Sequence, residues 1–254
     1  MRTEFTSENL KWIAMGTMAV DHAACLVEKS GLFPGGSGVL LESAMRLVGR
    51  MAFPLFAFMV VEGFLYTRDW RRYGVRLAVL AVLSEIPFNL VAGGSLFYPA
   101  EQNTVFTLLF GLLAVKACDW ALRGSEPGTG NRAAERGRGA GQPMPPMVWI
   151  VLAAILFSAA AQLLRTDYGA AGVILILVLY FYRGNPPMRL GGGCMILLCM
   201  YMDLYALAAA IAFYFINRYN GERGRRLGYG PYVFYPGHLL VIYGLGVILH
   251  GFNI

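Results

Sequence analysis

Apolar runs of membrane-spanning length alternate along this chain with short polar stretches. Seven runs stand out: Leu10–Val27, Val39–Tyr66, Tyr73–Val91, Asn103–Leu122, Met147–Leu164, Tyr168–Tyr182 and Tyr232–Leu249. Most approach or exceed the roughly 18 apolar residues that a helix needs to cross a hydrocarbon layer. Arg189–Arg218 is a further apolar stretch with Asp203 near its middle. By periodicity alone it is either one long helix or two short ones.

Positive charge favours two. Thr67–Arg72 holds Arg68, Arg71 and Arg72, and Arg123–Pro146 holds Arg123, Arg132, Arg136 and Arg138. Arg218–Arg226 adds four more arginines. The positive-inside rule makes these loops cytoplasmic, while Ala92–Gln102 and Arg165–Asp167, poor in positive charge, are external. With Arg183–Arg189 also inside, the chain must cross twice between Leu190 and Asn217. The predicted fold is therefore all-α, a polytopic transmembrane helical bundle of about nine spans. Its N-terminus is cytoplasmic, its C-terminus external, and a helical hairpin turns at Tyr201–Asp203. The first span is too long and too polar at its end for a cleaved leader, so it is expected to stay as an anchor.

Composition supports this class. The chain has 254 residues, 57% of them apolar and only 14% charged, where a soluble domain carries nearer a quarter. Its net charge of +6 is spread over short loops, which fits membrane orientation better than a nucleic-acid surface. Cys25, Cys118, Cys194 and Cys199 fall in apolar segments without zinc-ligand spacing, so no metal is expected. Residues 1–254 read as one integral-membrane domain, with the Gly/Arg-rich stretch Ser125–Gln142 as a disordered cytoplasmic linker. No phosphate loop or zinc-protease motif competes for the chemistry.

The chemistry must come from ionisable groups at membrane depth, which are costly enough to require a reason. The first span, LKWIAMGTMAVDHAACLV, carries Lys11, Asp21 and His22. Lys11 and His22 are separated by about 1100° of helical rotation and a rise of about 16 Å, which leaves them on one face. Asp21 points about 100° away from His22 and cannot cradle the imidazole directly. In an aqueous cavity His22 is a near-neutral base, with an unperturbed pKa of about 6.5. A nearby carboxylate, Asp21 or Glu85, raises that pKa and steadies one tautomer.

The second span places Arg46 and Arg50 on one face in the outer half and Glu62 nearer the cytoplasm. Pro54 frees the carbonyl of Arg50 and bends the helix there. Arg50 and Glu85 are either functional groups or a buried ion pair aligning two helices. Asn103 and Asp167 double as candidate helix caps. His238, in Tyr235-Pro236-Gly237-His238, is either a second functional group or a satisfied residue at a kink.

Seven blocks occur in order: LKWIAMGTMAVDH, RLVGRMAFPLFAFMVVEGFLYTRDWRRYGVRL, LSEIPFNL, QNTVFTLLFGLLAV, DYGAAGV, YNGERG and FYPGHLL. Together they closely resemble the TraX family over nearly the whole chain, the Gly/Arg linker and variable loops excepted. That family is named for a conjugation protein that acetylates the N-terminus of F-type pilin. It is also similar to membrane-embedded acyltransferases, which often show a basic residue, ten intervening residues and a histidine on an early helix. Lys11 and His22 match that spacing. The resemblance carries Asp21 and His22 over as the first-helix pair. Arg50, Glu62, Arg76, Glu85, Asn103, Asp167, Tyr168 and His238 match the other polar blocks.

The resemblance implies a bacterial inner-membrane acetyltransferase with acetyl-CoA as donor. Lys11, Arg72 and Arg76 are then expected to hold the donor's phosphates at the cytoplasmic mouth. His22 acts as general base or transient acetyl carrier, and Arg50 or Asn103 stabilises the oxyanion, Asn103 counting also among the donor-binding residues. Asp21 completes the candidate catalytic set, with Glu85 orienting His22 or neutralising Arg50. Arg46, Glu62, Asp167, Tyr168 and His238 are assigned to the acceptor, which is a pilin N-terminus, another peptide, a glycan or a lipid. Expected partners are membrane lipid, acetyl-CoA and that acceptor, with no nucleic acid. A non-enzymatic assembly factor or small transporter is the competing reading.

Overall fold

The computed structural model describes residues 4–30, 36–123, 145–225 and 227–250. Eleven helices cover most of them: α1 (Ser7–Ser30), α2 (Gly36–Gly49), α3 (Ala52–Tyr66), α4 (Trp70–Gly93), α5 (Thr104–Arg123), α6 (Pro146–Leu163), α7 (Gly169–Phe181), α8 (Pro186–Tyr201), α9 (Leu204–Ala210), α10 (Ala212–Asn217) and α11 (Gly230–His250). With α2–α3 and α9–α10 each taken as one broken helix, the described helices form nine helical units. The only β-type pairings among the described residues are two isolated bridges, Phe5 with Tyr219 and Gln102 with Thr166. The stretch expected as a linker, Ser125–Gln142, lies outside the described residues.

Among the described residues, five helices are long and apolar enough to cross a membrane: Gly36–Tyr66, Trp70–Gly93, Thr104–Arg123, Pro146–Leu163 and Gly230–Leu249. Gly169–Phe181 and Leu204–Asn217 are apolar but shorter. Large apolar side chains cover the outside as well as the core; Val79, Val82 and Leu83 on α4 and Ile155 and Leu156 on α6 are exposed. A water-facing surface rarely tolerates so continuous an apolar cover, and a lipid-facing one requires it.

The core is built around α3, which buries Phe53, Leu55, Ala57, Phe58, Val60 and Val61. A helix apolar on all sides must be enclosed, and α3 packs against α1, α5, α7 and α10. α1 also lies along α2 and α11, and α4 lies between α11 and α5.

Local chemistry sets the helix ends. Thr6 Oγ1 accepts from the Asn9 N–H at 3.3 Å while Asn9 Oδ1 accepts from the Thr6 N–H at 2.9 Å, a reciprocal cap before α1. Asp69 accepts from the N–H groups of Arg71 and Arg72, and Gly94 closes α4 in the left-handed region at φ 66°. The expected hairpin at Tyr201–Asp203 is present. Met202 ends α8 at φ 54° and Asp203 caps α9 through the Tyr205 N–H.

The second span breaks where Pro54 withholds an N–H from the Arg50 carbonyl. α2 stops at Gly49, Met51 donates to Val48 O at 3.3 Å, and α3 starts at Ala52. Pro54 thus sits in the first turn of a new helix, where its missing donor costs nothing. Gly49 is required at the break, because a Cβ there would overlap the Asp21 side chain.

The loops sort to two ends. Residues 4–8 bond to the 218–225 loop: Glu4 and Phe5 donate to Arg218 O, Ser7 to Glu222 O and Glu8 to Arg223 O. At the other end Gln102 donates to Arg165 O at 2.9 Å and Asp167 donates to Gln102 O at 2.8 Å. The first end carries Arg218, Arg223 and Arg225, whereas the two loops joined at the second carry only Arg165, a contrast of the kind the charge pattern suggests.

Candidate functional site

A cavity of about 370 Å³ lies at the arginine-poor end, between α1, the α2–α3 break, the end of α4 and the loop before α7. Its polar lining comes from Asp21, His22 and Glu28 of α1, Arg46 of α2, Arg50 at the break, Tyr98 and Glu101 of the α4–α5 loop, Thr104, Asp167 and Tyr168. Apolar walls come from Phe53, Phe56, Phe88, Val91 and Leu239. So polar a lining departs from the mostly apolar recess of a typical small-molecule site and suits an occupant with charged or hydrogen-bonding groups.

The two arginines divide the carboxylates. Arg46 Nη2 meets Glu28 at 3.3 Å and Arg46 Nε meets Glu42 at 3.4 Å, while its Nη1 stays 3.8 Å from Asp21. Arg50 Nη2 is 4.0 Å from Asp21 Oδ1. Its guanidinium lies over the rings of Tyr201 and Tyr205, 5.5 and 5.3 Å from their centroids. Asp21 Oδ1 and Arg50 Nε are buried without any hydrogen-bond partner. Leaving such atoms unpaired is costly unless something polar enters.

His22 lines the same cavity, and its partner is not a carboxylate. His22 Nδ1 lies 2.7 Å from His238 Nε2, and His238 Nδ1 lies 2.9 Å from the Phe234 carbonyl. The expected carboxylate support for His22 is thus replaced by a second imidazole. Asp21 turns away from the ring toward the arginines, as neighbours on a helix must. His238, left open between two readings, is brought onto His22 by the contact of α1 with α11.

Glu85 neither reaches His22 nor pairs with Arg50. It accepts from Asn103 Nδ2 at 2.5 Å, and Asn103 Nδ2 also lies 2.8 Å from Ala81 O. Asn103 Oδ1 meanwhile caps α5 through the Val105 N–H at 3.1 Å. Asn103 is fully buried and is not among the cavity-lining residues. These two residues fasten α4 to α5, so the donor-binding and orienting roles expected of them do not fit their positions.

Asp167 bonds to the Thr104 hydroxyl through its side chain, so it does not cap α7. Tyr168, at φ 69°, takes the N-cap position instead. Burial pushes the Asp167 carboxyl up to about 7, against the Thr104 hydrogen bond that lowers it. Tyr168 stacks on Phe53 with centroids 3.8 Å apart.

Lys11, Arg72, Arg76 and Glu62 do not line the cavity. Lys11 has Glu8 and Arg223 as its charged neighbours, at the arginine-rich end. Arg72 is exposed and pairs with Asp69 at 3.0 Å. Arg76 lies near Tyr73 and Tyr232. Glu62 interacts with Tyr219 and Arg189, whose Nη2 donates to Asn217 Oδ1 at 2.7 Å. The expected basic mouth and the histidine cavity therefore occupy opposite ends of the bundle. Sequence reasoning missed Glu101, Tyr98, Tyr201 and Tyr205. Of these only Glu101 carried a signal, as an acid beside the polar start of α5.

The TraX protein family model matches residues 6–246. A probable fimbrial assembly protein FimC (serogroup H1) of Dichelobacter nodosus is 26% identical over 263 residues, covering 94% of this chain and 95% of the relative. No solved structure matches.

Proposed function

The chain belongs to the TraX family, and from that premise we propose an integral-membrane acetyltransferase that moves an acetyl group from acetyl-CoA to an amine or hydroxyl acceptor. The observation that carries this reading is the position of His22 on the wall of a polar cavity, on a helix whose opposite half presents Lys11. The bundle sits in the bacterial cytoplasmic membrane with nine crossings, its arginine-rich end inside. Lys11, Arg72 and Arg76 then face the compartment that makes acetyl-CoA, and the acceptor enters from the other side through the cavity.

In the transfer, the acceptor's nitrogen or oxygen attacks the thioester carbonyl. Its proton passes to His22, and the carbon–sulfur bond breaks as the new carbon–nitrogen or carbon–oxygen bond forms. The proton then leaves with the CoA sulfur. Arg50 serves the developing oxyanion better than Asn103, because its Nε is unpartnered while Asn103 is committed to Glu85 and Ala81. Arg46, Asp21 and Glu101 hold the acceptor. A pilin N-terminus is the acceptor favoured by the family's named activity and by a relative described as a probable fimbrial assembly protein.

The same relative supports a second reading, a non-enzymatic assembly factor with no CoA site. Isothermal titration of CoA into the purified chain separates the two. Acetyl transfer requires saturable binding, weakened about tenfold in Lys11→Ala by loss of one charge-assisted contact. A folded sample that binds no CoA leaves the assembly reading.

A further inference from the structure

We infer that His238 is the positioning residue that fixes which nitrogen of His22 acts as the base. A carbonyl oxygen can only accept, so the 2.9 Å contact with Phe234 O places the His238 proton on Nδ1. A neutral imidazole carries one N–H, and His238 Nε2 therefore offers a lone pair. The atom 2.7 Å from that lone pair is His22 Nδ1, which must donate. The proton of His22 is used there, and its Nε2 keeps an unshared pair. The opposite order sets the His238 Nδ1 lone pair against the Phe234 carbonyl, two acceptors at hydrogen-bond distance.

Packing holds the chain of donors in place. The His238 ring lies parallel to Phe234 at 5.0 Å and 9°, meets His22 edge to edge with the two rings within 24° of coplanar and centroids 4.9 Å apart, and has Tyr235 edge-on at 5.8 Å. Pro236 interrupts α11 two residues before His238, leaving the Tyr232 carbonyl without its usual donor. The two carboxylates that the sequence offered for orienting His22 are directed elsewhere. Asp21 faces Arg46 and Arg50, and Glu85 is held by Asn103. His22 Nε2 has no hydrogen-bond partner among the described residues. A backbone carbonyl and a neutral ring thus do what a carboxylate does for the histidine of hydrolytic triads. They do it without placing another charge at the cavity floor.

The consequence for rate rests on the acetyl-transfer reading, whereas the order of protons does not. The chain has three histidines, so ¹⁵N-histidine NMR of the full-length protein in lipid nanodiscs can be assigned by single substitutions. The wild type should show His22 protonated at Nδ1 with a bare Nε2. His238→Leu should shift His22 toward the Nε2–H form and lower kcat for transfer from acetyl-CoA about 100-fold, leaving KM for acetyl-CoA within about threefold. His238→Gln, whose side-chain oxygen reaches the former Nε2 position and accepts, should retain the Nδ1–H form and most of kcat. A wild-type His22 protonated at Nε2, or a Leu variant with unchanged tautomer and kcat, overturns the inference. The assigned tautomer in a wild type that transfers no acetyl supports the proton order and overturns the acetyl-transfer reading alone.

Discussion

Two aspartates sit inside helices of this bundle, and their surroundings differ in kind. Asp119 on α5 is closed off: Arg123 Nε lies 3.0 Å from Oδ1, the Tyr180 hydroxyl donates to the same oxygen at 3.3 Å, and Lys116 Nζ lies 3.5 Å from Oδ2. Asp21 on α1 has two arginines nearby, yet both stay 3.8–4.0 Å away, and Oδ1 is buried without a partner beside an open cavity. Residue type is shared; satisfaction is not. A carboxylate with its hydrogen-bonding capacity filled holds helices together, whereas one left short beside a cavity is held ready for something else.

The sharpest way to break this contrast is to neutralise each aspartate in turn. Asp119→Ala should destabilise the fold by about 1–3 kcal/mol, the cost of stranding the Tyr180 hydroxyl and two cations that retain partial access to water. Thermal unfolding should register it at roughly 2–4 °C for each kcal/mol, and the folded fraction should keep its transfer activity. Asp21→Asn should do the reverse, leaving the melting temperature within about 2 °C and lowering transfer about tenfold or more. Matching losses of stability in the two variants would erase the distinction.

A smaller effect sharpens the contrast at the cavity rim. Asp167 has its carboxyl raised to about 7 by burial, above the usual 3.9 or so of an unfolded chain. The folded state therefore binds more protons than the unfolded one between about pH 4 and pH 7, and this group's contribution to stability falls as pH rises through that window. Asp167→Asn should remove that decline. The melting temperatures of variant and wild type should nearly coincide at pH 4.5, and the variant should gain by about 3 °C at pH 8. A parallel pH dependence in both proteins would contradict the burial of this carboxylate.

Much of the fold was legible because membranes impose two strong rules, apolar length and the placement of arginine. Those rules yielded the helices and even the turn at Met202, where Asp203 interrupts an apolar run at the point that charge parity required. The α2–α3 break was legible in part: Pro54 announced it, but the need for Gly49 against Asp21 is a tertiary contact. The site was less legible, since its parts come from distant segments. His22 and His238 are 216 positions apart, and periodicity within one helix cannot reveal a meeting of α1 with α11. Glu85 misled for the same reason; its partner Asn103 lies across a loop and competes better than a distant ring. Asp119 carried a local signal in the spacing of Lys116 and Arg123, which reads equally well as a charged helix end.

The central claim is that the imidazole of His22 takes the acceptor's proton during acetyl transfer at the cavity wall. The most direct measurement follows radiolabelled acetyl from acetyl-CoA onto an amine-bearing peptide acceptor, with purified wild type and His22→Ala compared in nanodiscs. The account predicts a loss of about 10²–10⁴-fold in transfer, with helix content and melting behaviour preserved. Undiminished transfer by the alanine variant would contradict it.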